Sequence, residues 1–228
     1  MKKDLRLFHG SPMVVETPEL SKGNPHSDFG QGFYCTESRE LALEWAVDID
    51  RDGYSNEYLL DTSGFKILDL NKGYNVLNWM ATLVRFRNIE LERELQKEAA
   101  KYLVRHFSID IDDADIIKGY RADDSYFSIA QDFLSGIIGV NTLGRALKLG
   151  DLGEQIVLKS PEAFERVKFI GHEVADHEVY WRKREQRNLD AEQEYLELDS
   201  DASRDLLMVD ILREEIQDGD TRIPRTSA

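Results

Sequence analysis

Apolar positions along the chain fall into two kinds of run: short stretches that alternate with polar residues, and longer ones with an apolar residue every three or four positions. Leu5-Arg6-Leu7-Phe8 alternates and runs into His9-Gly10-Ser11-Pro12, which predicts a short strand with a histidine at its exit. A Gly-, Pro- and Ser-rich loop reaches Gly32, and Phe33-Tyr34-Cys35-Thr36 predicts a second strand. Leu41, Trp45 and Ile49 then recur at four-residue spacing, so a helix capped by Thr36 or Ser38 is expected through about Asp50. Segments 56–61 and 65–70, separated by Thr62-Ser63-Gly64, read as a hairpin.

Residues 74–107 carry helical periodicity on two faces, first Leu77, Met80 and Val84, then Leu91, Leu95, Ala99 and Tyr102, with a break near Asn88. A buried strand is expected at 114–119 and a helix at 123–134, capped by Asp123 or Asp124. Further along, the pattern predicts a helix at 141–149, a strand at 154–160, a short helix begun by Pro161 and a strand at 167–170. Beyond Gly171 the balance of charge changes: residues 173–228 hold 16 acidic against 8 basic side chains. Helices are expected there at 177–198 and 203–217, the second with Met208, Val209, Leu212 and Ile216 as an apolar stripe that must dock on something. The expected organisation is one domain over 1–172, with a helical insertion at about 74–108, followed by an acidic helical extension over 173–228.

Composition narrows the classes of function. The 228 residues carry 44 acidic and 29 basic side chains, a net of −15, which disfavours a broad surface tracking nucleic-acid phosphates. Hydrophobic residues at 41% and charged ones at 32% describe a globular chain. The start lacks the apolar stretch of a signal peptide and no segment approaches a membrane span, so a cytoplasmic protein without membrane contact is expected. A single cysteine, Cys35, excludes an internal disulfide and a thiolate zinc site; among apolar neighbours it reads as packing.

Three motif-like strings carry little. Asp28-Phe29-Gly30 matches the magnesium tripeptide of protein kinases but lacks every accompanying kinase element. His172 and His177 are five residues apart, which puts them on different faces of a helix, so no metal is expected. Gly30-Gln31-Gly32 lacks the third glycine and the preceding strand of a dinucleotide fingerprint. Arg85, Arg87, Arg93, Lys97, Lys101 and Arg105 alternate with glutamates, which reads as a solvated, ion-paired face.

What remains is an ordered set: LFHGS, DFGQGFYCT, ELALEWA, RADDSYF and LGEQIVLKS followed by AF. In this order and spacing, over most of residues 5–170, the chain resembles the bacterial family catalogued as domain of unknown function 3990, and through it the ADP-ribosyltransferases that use a His, a Tyr and an acidic or amide residue. The resemblance implies an α+β fold, a split sheet of two small, mostly antiparallel sheets with helices packed outside and a cleft between them. It implies NAD as co-substrate with no metal, an intracellular protein or nucleic-acid acceptor with protein slightly favoured, and a cognate antitoxin if the protein is the toxin of a toxin–antitoxin pair. An NAD glycohydrolase and a catalytically silent NAD- or protein-binding module are the alternatives.

The same resemblance assigns His9 and Gly10 to NAD binding, with Ser11 and Phe33 beside them, and Tyr34 to stacking on nicotinamide. Gln155 takes the position of the usual catalytic acid, and an amide there brings no charge to an oxocarbenium-like state. Side chains alternate across a strand, so only one of Glu154 and Gln155 can face the cleft; Gln155 is preferred. Asp123, grouped with the cofactor-binding set, and Asp124, grouped with the catalytic set, are the candidates for a missing carboxylate.

Overall fold

The computed structural model describes residues 4–122, 126–149, 153–198 and 205–225. Strand β1 (Asp4–Ser11) lies antiparallel to β3 (Gly53–Asp61), and β3 antiparallel to β7 (Val167–Ala175), giving a three-stranded sheet in the order β1-β3-β7. Strands β2 (Phe33–Cys35), β4 (Ile67–Asp69), β5 (Ile116–Tyr120) and β6 (Glu154–Leu158) form a second sheet in the order β2-β6-β5-β4. Among the described residues only the β4–β5 pair is parallel. The expected α+β architecture of two small, mostly antiparallel sheets is what forms.

Strand alternation sorts the apolar side chains into layers. Leu7, Tyr58 and Leu60 of the first sheet pack against Phe33, Cys35, Ile116, Ile156 and Leu158 of the second, so the sheets share one core. Ile117 and Val157, one residue out of phase, point the other way into a larger core. That core is filled by α2 (Val76–Phe86), α3 (Glu94–Phe107), α4 (Tyr126–Leu134), α5 (Val140–Ala146) and α8 (Met208–Arg213). On the outer face of the three-stranded sheet, α1 (Arg39–Ala46) packs with the first turn of α7 (His177–Glu197) through Leu43, Ala46, Ala175, Tyr180 and Trp181. A short α6 (Pro161–Arg166) starts at the expected proline, with Ser160 as its cap.

Three expectations change. Segments 56–61 and 65–70 do not form a hairpin, because β3 uses both edges on β1 and β7; the chain turns at Gly64 (φ +80°) and β4 joins the other sheet beside β5. The expected boundary at 172/173 falls inside β7, which stays paired with β3 through Ala175. The C-terminal region is helical but not an appendage, since Met208, Ile211, Ile216 and Ile223 are buried in the larger core. Asp123 and Asp124 lie outside the described residues.

Candidate functional site

Among the described residues, the backbones of the two sheets join at one rung. Phe8 and Thr36 exchange both backbone hydrogen bonds, at 2.8 and 2.9 Å. In an antiparallel ladder the next such rung would pair Gly10 with Tyr34, two residues on along each strand. That rung does not form. Instead the Tyr34 carbonyl takes the ring of His9, with Nδ1 2.7 Å from the oxygen. The peptide groups of Gly10 thus point away from β3 into the gap where the sheets part, because alternate residues of β1 face opposite edges.

A carbonyl can only accept, so His9 Nδ1 carries a proton and neutral His9 presents Nε2 as an acceptor. Burial lowers the His9 pKa, opposed by the bond to Tyr34, which keeps the ring neutral near pH 7. Gly10 has a packing reason to lack a side chain: a Cβ there would lie 2.2 Å from the Ala42 carbonyl oxygen of α1. The glycine therefore fits β1 tightly onto α1, while its backbone edge stays open.

The loop before β2 is held from several sides. Tyr34 donates its hydroxyl to the Gly30 carbonyl at 2.6 Å and accepts from Phe29 N–H at 2.9 Å. Lys159 Nζ donates to the carbonyls of Phe29 and Gln31, at 2.8 and 2.5 Å. Gly30 sits at φ +72°, a left-handed conformation that favours glycine. These anchors drive Asp28 inward, leaving 4% of its surface exposed. Asp28 Oδ2 accepts from Gln155 Nε2 at 2.7 Å and from Ala122 N–H at 3.0 Å, while Arg87 Nε lies 3.5 Å from Oδ1. Burial pushes the Asp28 carboxyl up, against the opposing pull of these N–H groups and of Arg87 and Arg121.

A polar cavity of about 300 Å³ opens onto His9, Gly10, Asp28, Tyr34 and Gln155. Arg87, Arg121 and Arg184 also line it, so three arginines and one aspartate share this cavity in a chain of net −15. Arg121 stacks over Trp45 at 4.4 Å and Arg87 over Phe127 at 4.6 Å. A second cavity of about 530 Å³, lined by Ser11, Val14, Val15, Pro18 and Phe33, meets the first at His9, Ser27 and Tyr34. The loop carrying Val15 is fixed by Asn56, which accepts from Val15 N–H at 2.9 Å and donates to the Met13 carbonyl at 3.2 Å.

Of the residues singled out by sequence, His9, Gly10, Tyr34 and Gln155 meet at the first cavity, and Ser11 and Phe33 line the second. Phe33 is mainly core, its ring 4.4 Å from His9 and packed on Tyr58 and Phe164. Glu154 is apart: it binds Asn71 and Lys118 on the opposite face of β6 and lines neither cavity. Cys35 is buried, with its thiol pushed up by desolvation. Sequence reading missed Asp28, Trp45, Arg87, Arg121 and Arg184 at this site. Asp28 stood inside a string read against the kinase motif alone; its link to Gln155, 127 positions away, leaves no local signal.

The family model described as "Protein of unknown function (DUF3990)" matches residues 5–169, which span both cavities' strands and every lining residue except Arg184. No curated protein and no solved structure gives a significant match.

Proposed function

The chain belongs to the DUF3990 family, and from that membership and the cleft at His9 and Gly10 we propose that it is an NAD-dependent ADP-ribosyltransferase. The observation that carries the reading is the missing rung between Gly10 and Tyr34. It leaves a glycine N–H and C=O facing the gap, a pair that matches the donor and acceptor of a carboxamide such as that of nicotinamide.

The other groups suit the remaining parts of the dinucleotide. His9 Nε2 accepts from a ribose hydroxyl, and Tyr34, shared by both cavities, offers a ring face to nicotinamide. The more apolar cavity beside Val14, Val15 and Pro18 takes a base, and the arginines answer the diphosphate. In the reaction the bond between ribose C1′ and the nicotinamide nitrogen breaks, and its electron pair leaves with neutral nicotinamide. The oxocarbenium-like ribose is then captured by an acceptor nucleophile, which releases its proton to solvent. Gln155 orients a ribose hydroxyl during this step.

The acceptor in this reading is an intracellular macromolecule, protein ahead of nucleic acid, and the toxin role with a cognate antitoxin belongs to the same proposal. Adding NAD labelled in its adenylate half to whole lysate, with and without the protein, tests it. Label transferred to protein or nucleic acid supports the reading; nicotinamide release with label only in free ADP-ribose makes the protein a glycohydrolase instead. The neutral Gln155 favours one further reading, an NAD-binding module without turnover, for which calorimetry would give binding but no heat of reaction.

A further inference from the structure

Glycosidic cleavage ordinarily leans on a carboxylate, and here the group that faces the cavity from β6 is an amide. An amide is useful only if its carbonyl oxygen, and not its NH2, meets a ribose hydroxyl that must donate. Both N–H groups of Gln155 are taken: Nε2 donates to Asp28 Oδ2 at 2.7 Å and to the Tyr120 carbonyl at 3.2 Å. With Asp28 ionised beside Arg87, neither partner can donate in return, so a flipped amide would set its oxygen against two acceptors and lose both bonds. Asp28 in turn is fixed by Ala122 N–H at 3.0 Å on the same oxygen and by Arg87 near the other.

Asp28 Oδ1 is closed to solvent and accepts no hydrogen bond. A buried carboxylate with one oxygen unbonded is a costly choice for mere packing. What it supplies toward Gln155 is an acceptor oxygen fixed in place by the Ala122 N–H, on which only the NH2 of the amide can settle. We infer that Asp28 is the positioning residue of this site: its carboxylate locks the Gln155 amide so that the carbonyl oxygen Oε1 faces the cavity and accepts from a ribose hydroxyl. Asp28 acts through Gln155 and does not itself touch the ligand. The inference rests on the NAD reading above for the identity of the ligand, but the lock itself is a property of the protein alone.

The test therefore has two arms. In the first, the side-chain amide protons of Gln155 are followed by 15N-edited NMR without any ligand. They are expected to be slow to exchange in the wild type, fast in Asp28→Ala, and slow again in Asp28→Asn, whose oxygen Ala122 N–H holds in place. In the second, nicotinamide release from NAD is measured. Asp28→Ala is expected to lower kcat at least tenfold with KM for NAD within threefold, Asp28→Asn to recover at least fivefold of that loss, and Asp28→Ala to add nothing in a Gln155→Ala background.

A second variant keeps the question open to decision even if Asp28→Ala does not fold. Gln155→Glu sets two acceptors face to face at Asp28 Oδ2 and is expected to lower turnover at least tenfold. Unchanged amide exchange in Asp28→Ala, an equal loss in the Gln155→Ala background, or undiminished turnover in Gln155→Glu would each overturn the inference. If the wild type neither binds NAD nor releases nicotinamide, the NAD reading falls while the exchange measurement still decides whether Asp28 locks Gln155.

Discussion

Tyr34 shows how one side chain can serve both the scaffold and the site. It lines both cavities, and its hydroxyl closes the turn at Phe29 and Gly30 that carries Asp28 inward. Tyr34→Phe keeps the ring and removes both hydrogen bonds. It is expected to lower stability by about 1–2 kcal/mol in chemical denaturation and to lower kcat for nicotinamide release more than NAD affinity, because Asp28 and Gln155 lose their setting. His9 gives a signature in pH. Burial holds its folded pKa below the ordinary value of 6.5, so its contribution to stability is complete above 6.5 and is lost as pH falls toward the folded value. Denaturation of wild type and His9→Gln from pH 8 to 5 should then show the wild type losing ground to the variant only below pH 6.5. A difference that stays constant with pH would mean that His9 is not held neutral.

Among the elements, α1 and α7 form a joint that local sequence hardly announces. Glu44, 3% exposed at its side chain, takes both Nε and Nη2 of Arg187, at 2.9 and 3.0 Å, and Lys183 reaches Glu40 at 3.0 Å. The same helix brings Arg184 to the polar cavity. Arg187→Met would leave Glu44 buried without this partner, and it is expected to cost about 2 kcal/mol of stability and to weaken NAD binding measured by calorimetry. Unaltered NAD affinity would separate α7 from the site. The elements that sequence placed well are those with local signals: α1 after Ser38, one of its two expected caps, the break between α2 and α3, and α6 begun by Pro161. The failures were of pairing. Nothing local in segments 56–61 and 65–70 tells that β3 is already flanked on both sides, and nothing near Arg184 tells that it returns to a cavity built by residues 9–155. His9, Tyr34 and Gln155 were legible because their order matched a known pattern, whereas Asp28 needed the fold to bring it to Gln155.

For the whole molecule, the family match ends at residue 169, but the larger core does not. Met208, Ile211, Ile216 and Ile223 fill it beside Leu103, Phe107 and Phe133. A chain shortened to residues 1–172 would expose that surface and is expected to lose the cooperative thermal transition in near-UV circular dichroism; a transition like that of the full chain would mean that 173–228 is dispensable for folding. At the same scale, the rung between Phe8 and Thr36 that joins the two sheets gives the cleft its location, and the proposed function rests on what that cleft does. The most direct measurement is the rate of nicotinamide release from NAD by the 228-residue chain, wild type against Gln155→Ala, with NAD affinity measured in parallel. The wild type is expected to release nicotinamide, the variant to lose at least tenfold in rate, and the two affinities to lie within a few-fold of each other. Equal rates in wild type and Gln155→Ala, or a wild type that binds no NAD, would contradict it.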